Sequence, residues 1–447
     1  MKRVLIVGAD FTPSSMPPAL RIRFFATHLP AFGWRPTVLA TRPEYYEWSV
    51  DPENGHLLPD GLEIIRTPAL PATVTRRFGV GDVGIRSLWH HWRVISRLCR
   101  EGRIDAILIP VAPYAPMVLG RVAHARFGVP YVIDYMDPWI TEYYWRLPRG
   151  QRPPKWWLAY TMARLLEPVA LRRVGHVVGV SRGTTAGVVA PYPWLGEGDT
   201  TEIPLGGEPG DFEYLRSRPR RPRSFERTDG RFHLCCVGVV IRQMYPALRV
   251  LFEAVREGLR LSPERFGRLS LHFIGTTYAP RAEGRYQVLP MAREMGLAGI
   301  VHEHPARVPY LDALQILLDS HGLVMLGSEE PHYTASKSFP YILARRPLMA
   351  VFHEASSVVT ILRETGAGRV VTFGPANPPD RCRDEIVGHL DEMLQLPPGW
   401  SPPTRWAAFE PYTARAMAAR LAGALDRAVE RSAQPVLARL PTVGAGR

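Results

Sequence analysis

The stretch Leu323 to Phe352 reads LVMLGSEEPHYTASKSFPYILARRPLMAVF. Its opening apolar run, Leu323 to Leu326, predicts a buried strand. A polar loop, Gly327 to Tyr333, follows. A helix is expected to start between Thr334 and Lys337, because Thr and Ser suit an N-cap and Phe339, Tyr341, Ile342 and Leu343 supply an apolar face. Arg345 and Arg346 would close that helix, Pro347 would stop it, and Leu348 to Phe352 reads as the next strand. Free amides, a positive helix end and a lysine ammonium together suit a diphosphate. An ordinary capped strand-to-helix turn would look the same, so the stretch by itself leaves both readings open.

The 447 residues have room for two domains of ordinary size. A hydrophobic content of 46% with 22% charged residues marks a folded chain, and no apolar run approaches the roughly 20 residues of a membrane-spanning helix. The opening MKRVLIVGADFTP reads as a strand and turn, not as a signal peptide. The four cysteines, Cys99, Cys235, Cys236 and Cys382, have neither disulfide nor zinc spacing, so a reducing, cytoplasmic setting is expected. The net charge of +13 favours anionic partners: nucleic acid, anionic lipid or phosphorylated substrates. A GC-rich or heat-adapted source would enrich arginine and proline as well.

From the N-terminus, the strand Lys2 to Val7, the loop Gly8 to Pro18, a helix over about Ala19 to Phe32 and the strand Thr37 to Ala40 make a βαβ opening. The loop has one glycine and three prolines, so it is no GxGxxG dinucleotide fingerprint. Alternation continues through strands at Ile104 to Ile109, Pro130 to Ile133 and His176 to Val180. A turn-rich connection runs from Leu215 to Gly230. It then restarts with strands Phe232 to Val237, Ser270 to Ile274 and Ile300 to His302, each followed by a helix. An α/β fold of two successive doubly wound sheets fits this pattern, and a last helix is expected over Thr413 to Arg431.

Open α/β sheets bind ligands beyond the carboxyl ends of their strands. The loops there carry Asp10, Asp134, Asp137, Ser181, Arg242, Thr276, Arg307, Tyr310, Ser336 and Lys337. Singly, such residues are more often turn formers and caps. Asp134 and Asp137 lie about one turn apart, where paired carboxylates orient a hydroxyl or share a proton; Asp137 before Pro138 would equally cap a helix. No DxD, HExxH or Cys/His cluster points to a metal. Two segments, Arg76 to Arg103 and Trp145 to Arg164, interleave arginine with tryptophan. That mixture suits an anionic membrane surface or stacked nucleic acid, and also a solvated helix with buried tryptophans.

Four stretches carry a family resemblance. PPALRIRFFATHLPAFGWRPTVLA (Pro17 to Ala40), DYMDPW (Asp134 to Trp139), IPLGGEPGDF (Ile203 to Phe212) and ASKSFPYILARRPLMAV (Ala335 to Val351) resemble the GT-B glycosyltransferases of the family 4 type, over Met1 to about Arg431. The resemblance implies two Rossmann-like domains facing a central cleft: an acceptor-side domain over 1–205, a nucleotide-sugar domain over 206–402, a helical region over 403–431 packing back on the first domain, and a disordered tail over 432–447. It implies retaining transfer of a sugar from a nucleotide-sugar donor to a lipid-linked, polysaccharide or other glycan acceptor, with no further cofactor and no metal. Asp137, Arg242 and Lys337 would be catalytic. Gly238, Arg242, Gly275, Thr276, Arg307, Tyr310, Glu329, His332, Thr334, Ser336 and Lys337 would hold the donor. Asp10, Ser14, Ser15, Asp134, Asp137 and Trp139 would hold the acceptor. An anionic membrane surface is a further expected partner, and nucleic acid is not expected.

This chain departs from the family at three places. The usual Glu-x7-Glu pair is replaced by His332 and Pro340, and the usual Gly-Arg after the first strand of the second domain is Gly238-Val239. With those groups gone, Arg242, Lys337 and the amides near Ser336 would have to stabilise the departing diphosphate. Two alternatives stay open: a GT-B protein that binds sugar nucleotides or a partner without transfer, and a nucleotide-sugar epimerase of the same architecture.

Overall fold

The computed structural model describes residues 1–48, 50–142, 145, 147–152, 156–220, 224–277, 285–331 and 335–433. The chain forms two compact units, Met1–Leu205 with Ala414–Arg447, and Gly206–Thr413.

The first unit is built on a seven-stranded parallel sheet: β1 Lys2–Val7, β2 Trp34–Thr41, β3 Glu63–Thr67, β4 Ala106–Val111, β5 Tyr131–Tyr135, β6 His176–Gly179 and β7 Thr200–Glu202, in the order β3-β2-β1-β4-β5-β6-β7. Its described helices of six or more residues are α1 Pro17–His28, α2 Val83–Arg100, α3 Met117–Phe127, α4 Trp156–Leu171, α5 Arg182–Val189 and, returning from the far end of the chain, α13 Ala414–Ala433. Alternate strand residues point to opposite sides, which builds two cores. Val4, Ile6, Val38, Leu108 and Val132 pack under α1 and α13. Leu5, Val7, Leu39, Ile107 and Ile133 pack under α2, α3 and α4. Covered on both faces, the central strand β4 is apolar throughout, reading AILIPV.

The second unit holds six parallel strands: β8 Phe232–Val237, β9 Leu269–Ile274, β10 Val301–His304, β11 Gly322–Leu326, β12 Leu348–His353 and β13 Arg369–Phe373, in the order β10-β9-β8-β11-β12-β13. Its described helices of six or more residues are α6 Pro209–Ser217, α7 Tyr245–Leu261, α8 Leu289–Glu294, α9 Tyr310–Asp319, α10 Ser338–Leu343, α11 Ser357–Thr365 and α12 Arg383–Leu394. Each sheet reverses direction once, between β1 and β4 and between β8 and β11. Such switch points open crevices above the strand ends in doubly wound folds.

Several expectations change. The helix of the deciding stretch starts at Ser338, not near Thr334, and has six residues. Pro340 explains this, since a residue without an N–H fits a helix only in its first turn. The helix also ends before Arg345, which takes a left-handed φ of 57°. Within the connection expected from Leu215, the first residues finish α6, where Leu215 is buried. Residues 403–413, grouped above with the last helix, stay with the second unit, where the Arg405 guanidinium donates to the carbonyls of Arg363 and Glu364. Of the tail, Ser432 and Ala433 are the end of α13, and 434–447 lie outside the described residues.

Candidate functional site

At the second switch point β8 ends in Val237, and the chain leaves it through Gly238 at φ 124°, a conformation that a side chain would strain. Tyr341 of α10 closes over this exit. Fully buried, its hydroxyl donates to the Val237 carbonyl at 2.9 Å and accepts the Val237 amide. Lys337 lies one turn before Tyr341, on the same side of the segment. Anchoring Tyr341 therefore places Lys337 above Gly238, and a Cβ at Gly238 would come within 3.4 Å of Lys337 Cδ and 4.0 Å of Nζ. The Nζ is buried and, among the described residues, makes no hydrogen bond; the Ser338 hydroxyl beside it is in the same condition. Burying a cationic group without an acceptor costs stability, which an anionic oxygen would restore.

Around this point the expected donor residues separate into two groups. Arg242 is exposed in the turn opening α7, Glu329 is exposed after β11 with its amide bonded to the Gln243 carbonyl at 3.0 Å, and Ser336 is exposed next to Lys337. Gly275, at φ 70°, follows β9 and lies against the backbone of Arg307. Thr276 and Tyr310 are committed elsewhere. The Thr276 hydroxyl is buried and donates to Glu303 Oε1 at 2.6 Å, so it holds a loop instead of facing a donor. Glu303 also accepts the amides of Gln287, Val288 and Leu289 at 2.8, 2.9 and 2.7 Å, which caps α8. The Tyr310 hydroxyl donates to Asp211 Oδ2 of α6 at 2.7 Å, which ties α9 to α6. His332 and Thr334 lie outside the described residues.

In the first unit, the loop after β1 carries Asp10, Ser14 and Ser15, all buried. Ser14 Oγ donates to Asp10 Oδ2 at 2.9 Å and accepts from Trp48 Nε1 at 3.0 Å and from the Met16 amide at 3.2 Å. Burial outweighs that hydrogen bond and pushes the Asp10 carboxyl up to about 6. Asp134 and Asp137 do not act as a pair. Asp134 is fully buried in β5, and both its oxygens are taken by Arg21 of α1, at 2.7 and 2.9 Å. The same guanidinium donates to the carbonyls of Ile203 and Pro204 at 2.9 and 3.2 Å. Asp134 is therefore closed to an acceptor and shares no proton with Asp137. Asp137 itself is exposed, and its carbonyl and that of Pro138 accept the Tyr114 hydroxyl at 3.2 and 3.3 Å. Tyr114 in turn stacks on Trp139 with centroids 5.4 Å apart, which fixes the DPW turn.

Sequence reasoning passed over Tyr341 and Arg21. Tyr341 could have been found from its position four residues after Lys337, and Arg21 from being a cation within an apolar helix. Among the described residues, no group of three or more His, Cys, Asp or Glu side chains could hold a metal ion, and no helix is long and apolar enough to cross a membrane.

Residues 18–206 match the glycosyl transferase 4-like domain family. No curated protein matches the chain. Solved structures of similar fold include Anabaena HepE in complex with UDP and glucose, at 12% identity and a TM-score of 0.55, covering 95% of this chain and 100% of that one. Sucrose-phosphate synthase from Thermosynechococcus elongatus is similar at 12% identity and TM-score 0.55, covering 97% and 100%. A UDP-forming α,α-trehalose-phosphate synthase from Burkholderia xenovorans, in complex with glucose-6-phosphate, gives 13% identity and TM-score 0.52 over 95% and 98%. Two parallel doubly wound sheets, each with one switch point, together with these likenesses, identify a chain of the GT-B fold whose residues 18–206 match the glycosyl transferase 4-like domain family.

Proposed function

We propose that the protein is a retaining glycosyltransferase that takes its sugar from a nucleotide-sugar donor bound at the β8/β11 switch point. The observation that carries this reading is the buried Lys337 Nζ beside Gly238, with no hydrogen-bond partner among the described residues. A diphosphate oxygen would give it one. As the bond to the sugar breaks, negative charge grows on the leaving diphosphate, and a preorganised ammonium in a partly dry site stabilises that charge more than it stabilises the bound donor. Arg242, exposed after β8, would add a second cation, and Ser336 and the Gly238 amide would supply neutral donors. The similar HepE structure holds UDP and glucose, which supports a uridine nucleotide as the first donor to try. Retention rests on the resemblance of the Ala335 to Val351 stretch to the family 4 enzymes.

The acceptor side falls to the first unit, where Asp137 is the open carboxylate and Trp139 with Tyr114 offers a stacked aromatic surface. Asp10 has a different claim. A buried carboxyl raised to about 6 despite hydrogen bonds from the Ser14 hydroxyl and its own backbone amide is costly to keep, and such groups concentrate at functional sites. A lipid-linked or polysaccharide acceptor follows from the resemblance, and a lipid-linked one would bring the protein to a membrane surface. Cationic side chains carry the phosphate charge in this reading, so it needs neither metal nor cofactor.

A panel of nucleotide sugars tested by thermal shift would check the donor site. One of them should raise the melting temperature of the native protein and leave Lys337→Ala unmoved. If no nucleotide sugar does so, the assignment fails. One observation favours a second reading, a binder without transfer: Pro340, inside α10, occupies a place where the family carries a glutamate. A donor that binds without sugar transfer or hydrolysis would select that reading.

A further inference from the structure

The edge strand β3 and the helix α2, packed against each other in the first unit, border a hollow of about 770 Å³, the size of a small-molecule site. Its wall is sorted along the helix. Trp89, 65% exposed, and Trp92, half-buried, stand towards the start. Arg93, Arg97 and Arg100 follow, all exposed, at intervals of four and three residues that put them on one side. From Trp89 to Arg100 the wall runs about 16 Å at the helical rise. None of the described residues lining the hollow is acidic. Among the described residues Arg93 and Arg100 form no ion pair, and Arg97 reaches Glu101 only at 3.9 Å. On the strand side, Arg66 is spent on the carbonyls of Thr12 and Thr41. The wall also holds two hydroxyls, those of Thr67 on β3 and Ser96 on α2. Each residue is 4% exposed, and neither hydroxyl has a hydrogen-bond partner among the described residues. Hydroxyls buried without partners cost stability that a ligand oxygen would restore.

We propose that this hollow is a second nucleotide site, which takes a nucleoside triphosphate with its base against the tryptophans and its phosphates among Arg93, Arg97 and Arg100. Rings at one end of the wall and cations at the other match a molecule built in the same order. Ser96 stands within the arginine half, and Thr67 faces the hollow from the strand; their hydroxyls would meet phosphate or ribose oxygens. Stacking does not read the identity of a base, so adenine, guanine and uracil nucleotides should bind alike. In a nucleotide sugar the terminal phosphate is esterified and carries less charge, so free triphosphates are the stronger ligands here. An oligonucleotide or an acidic polysaccharide fits less well, because its charges repeat along the chain whereas these cations are gathered at one end. The proposal goes beyond the transferase reading: β3 and α2 supply none of the residues assigned above to donor or acceptor.

Equilibrium dialysis of the full chain with ATP tests it. Binding should weaken from ATP to ADP to AMP as charge is lost, and GTP and UTP should match ATP within about threefold. Lys337→Ala should bind ATP as the native protein does. Arg93→Glu with Arg97→Glu should weaken ATP at least roughly tenfold, and Trp89→Ala roughly tenfold. Ser96→Ala should weaken it severalfold while the melting temperature holds or rises, because an unmet buried hydroxyl is gone. These three variants should keep the nucleotide-sugar thermal shift, which separates failure of the hollow from failure of the donor site. No binding of ATP to the native protein, or undiminished binding by both the arginine and the tryptophan variants, would overturn the proposal. So would inorganic tripolyphosphate bound as tightly as ATP, which would leave the tryptophans without a part. An oligonucleotide or acidic polysaccharide that binds more tightly than ATP and is released by the same substitutions would overturn it as well.

Discussion

The two switch points solve the same topological problem with opposite electrostatics. At the β1/β4 end of the first sheet the buried polar groups are tied up: Asp134 by Arg21, and Ser14 by Asp10 and Trp48. At the β8/β11 end of the second, Tyr341 spends both its hydrogen bonds on Val237, and Lys337 above Gly238 has no acceptor among the described residues. A satisfied network holds shape, whereas an unsatisfied buried cation holds free energy in reserve for a ligand. The difference fits a scaffold role for the Arg21–Asp134 pair and, in the function proposed above, an anion-binding role for Lys337.

Breaking the network at the first switch point should give the largest effect. Arg21→Met leaves Asp134 buried without its cation and should cost about 3–5 kcal/mol in denaturant unfolding, whereas replacing both partners together with apolar residues should cost much less. If the single and double variants unfold alike, the pair is not the support described here. Next comes Lys337→Ala, expected to lower transfer by roughly 100-fold or more, in the range seen when one transition-state charge donor is removed. Stability of the variant should be unchanged or improved, because an unpaired buried group is lost. A transfer rate within a factor of about three of the native protein would dissolve the contrast between the two ends.

Asp10 sharpens the comparison by its pH dependence. Its folded carboxyl stands at about 6, above the unfolded value of 3.8. Its contribution is therefore favourable only while the group is protonated: stability falls as pH rises from about 4 to 6, then stays level. Asp10→Asn should gain on the order of 2 kcal/mol above pH 6 and nothing below pH 4, read from unfolding curves across that range. A gain that does not vary with pH would show that burial is not what raises the group.

The smallest effect tests the other end of the second sheet. There His272 sits between His302, stacked at 5.1 Å, and His233, whose Nδ1 is 3.0 Å from His272 Nε2; Ser270, Asp229 and His304 lie around them. Burial, with the neighbouring histidines, lowers His272 to about 3. Because the unfolded chain takes its proton near 6.5, stability is intact above that pH and drains away as pH falls toward 3. At pH 5 the loss should reach about 2 kcal/mol, and His272→Phe should remove that slope while the donor-induced shift at neutral pH persists. An unchanged acid slope would place the sensitivity elsewhere.

The sequence alone made the fold legible, and the reason is local. Apolar runs such as VLIV and LVML, each followed by a turn and an amphipathic segment, can be buried on both faces only in a parallel doubly wound sheet, so they declare it without help from distant residues. It also marked the strand ends from which Gly238, Arg242 and Lys337 project. Short edge strands such as β3 and β7 escaped notice, because half-exposed segments of three to five residues carry little pattern. What only the tertiary structure decided was which polar groups are spent. Asp134 and Asp137 look equivalent in sequence, yet one lies under Arg21 and the other is open; Thr276 and Lys337 both follow strands, yet one is bonded to Glu303 and the other to no described residue. Hydrogen-bond satisfaction depends on residues a hundred or more positions away, such as Tyr341 on Val237 or Arg21 on Asp134, and no local pattern of residues encodes such a meeting.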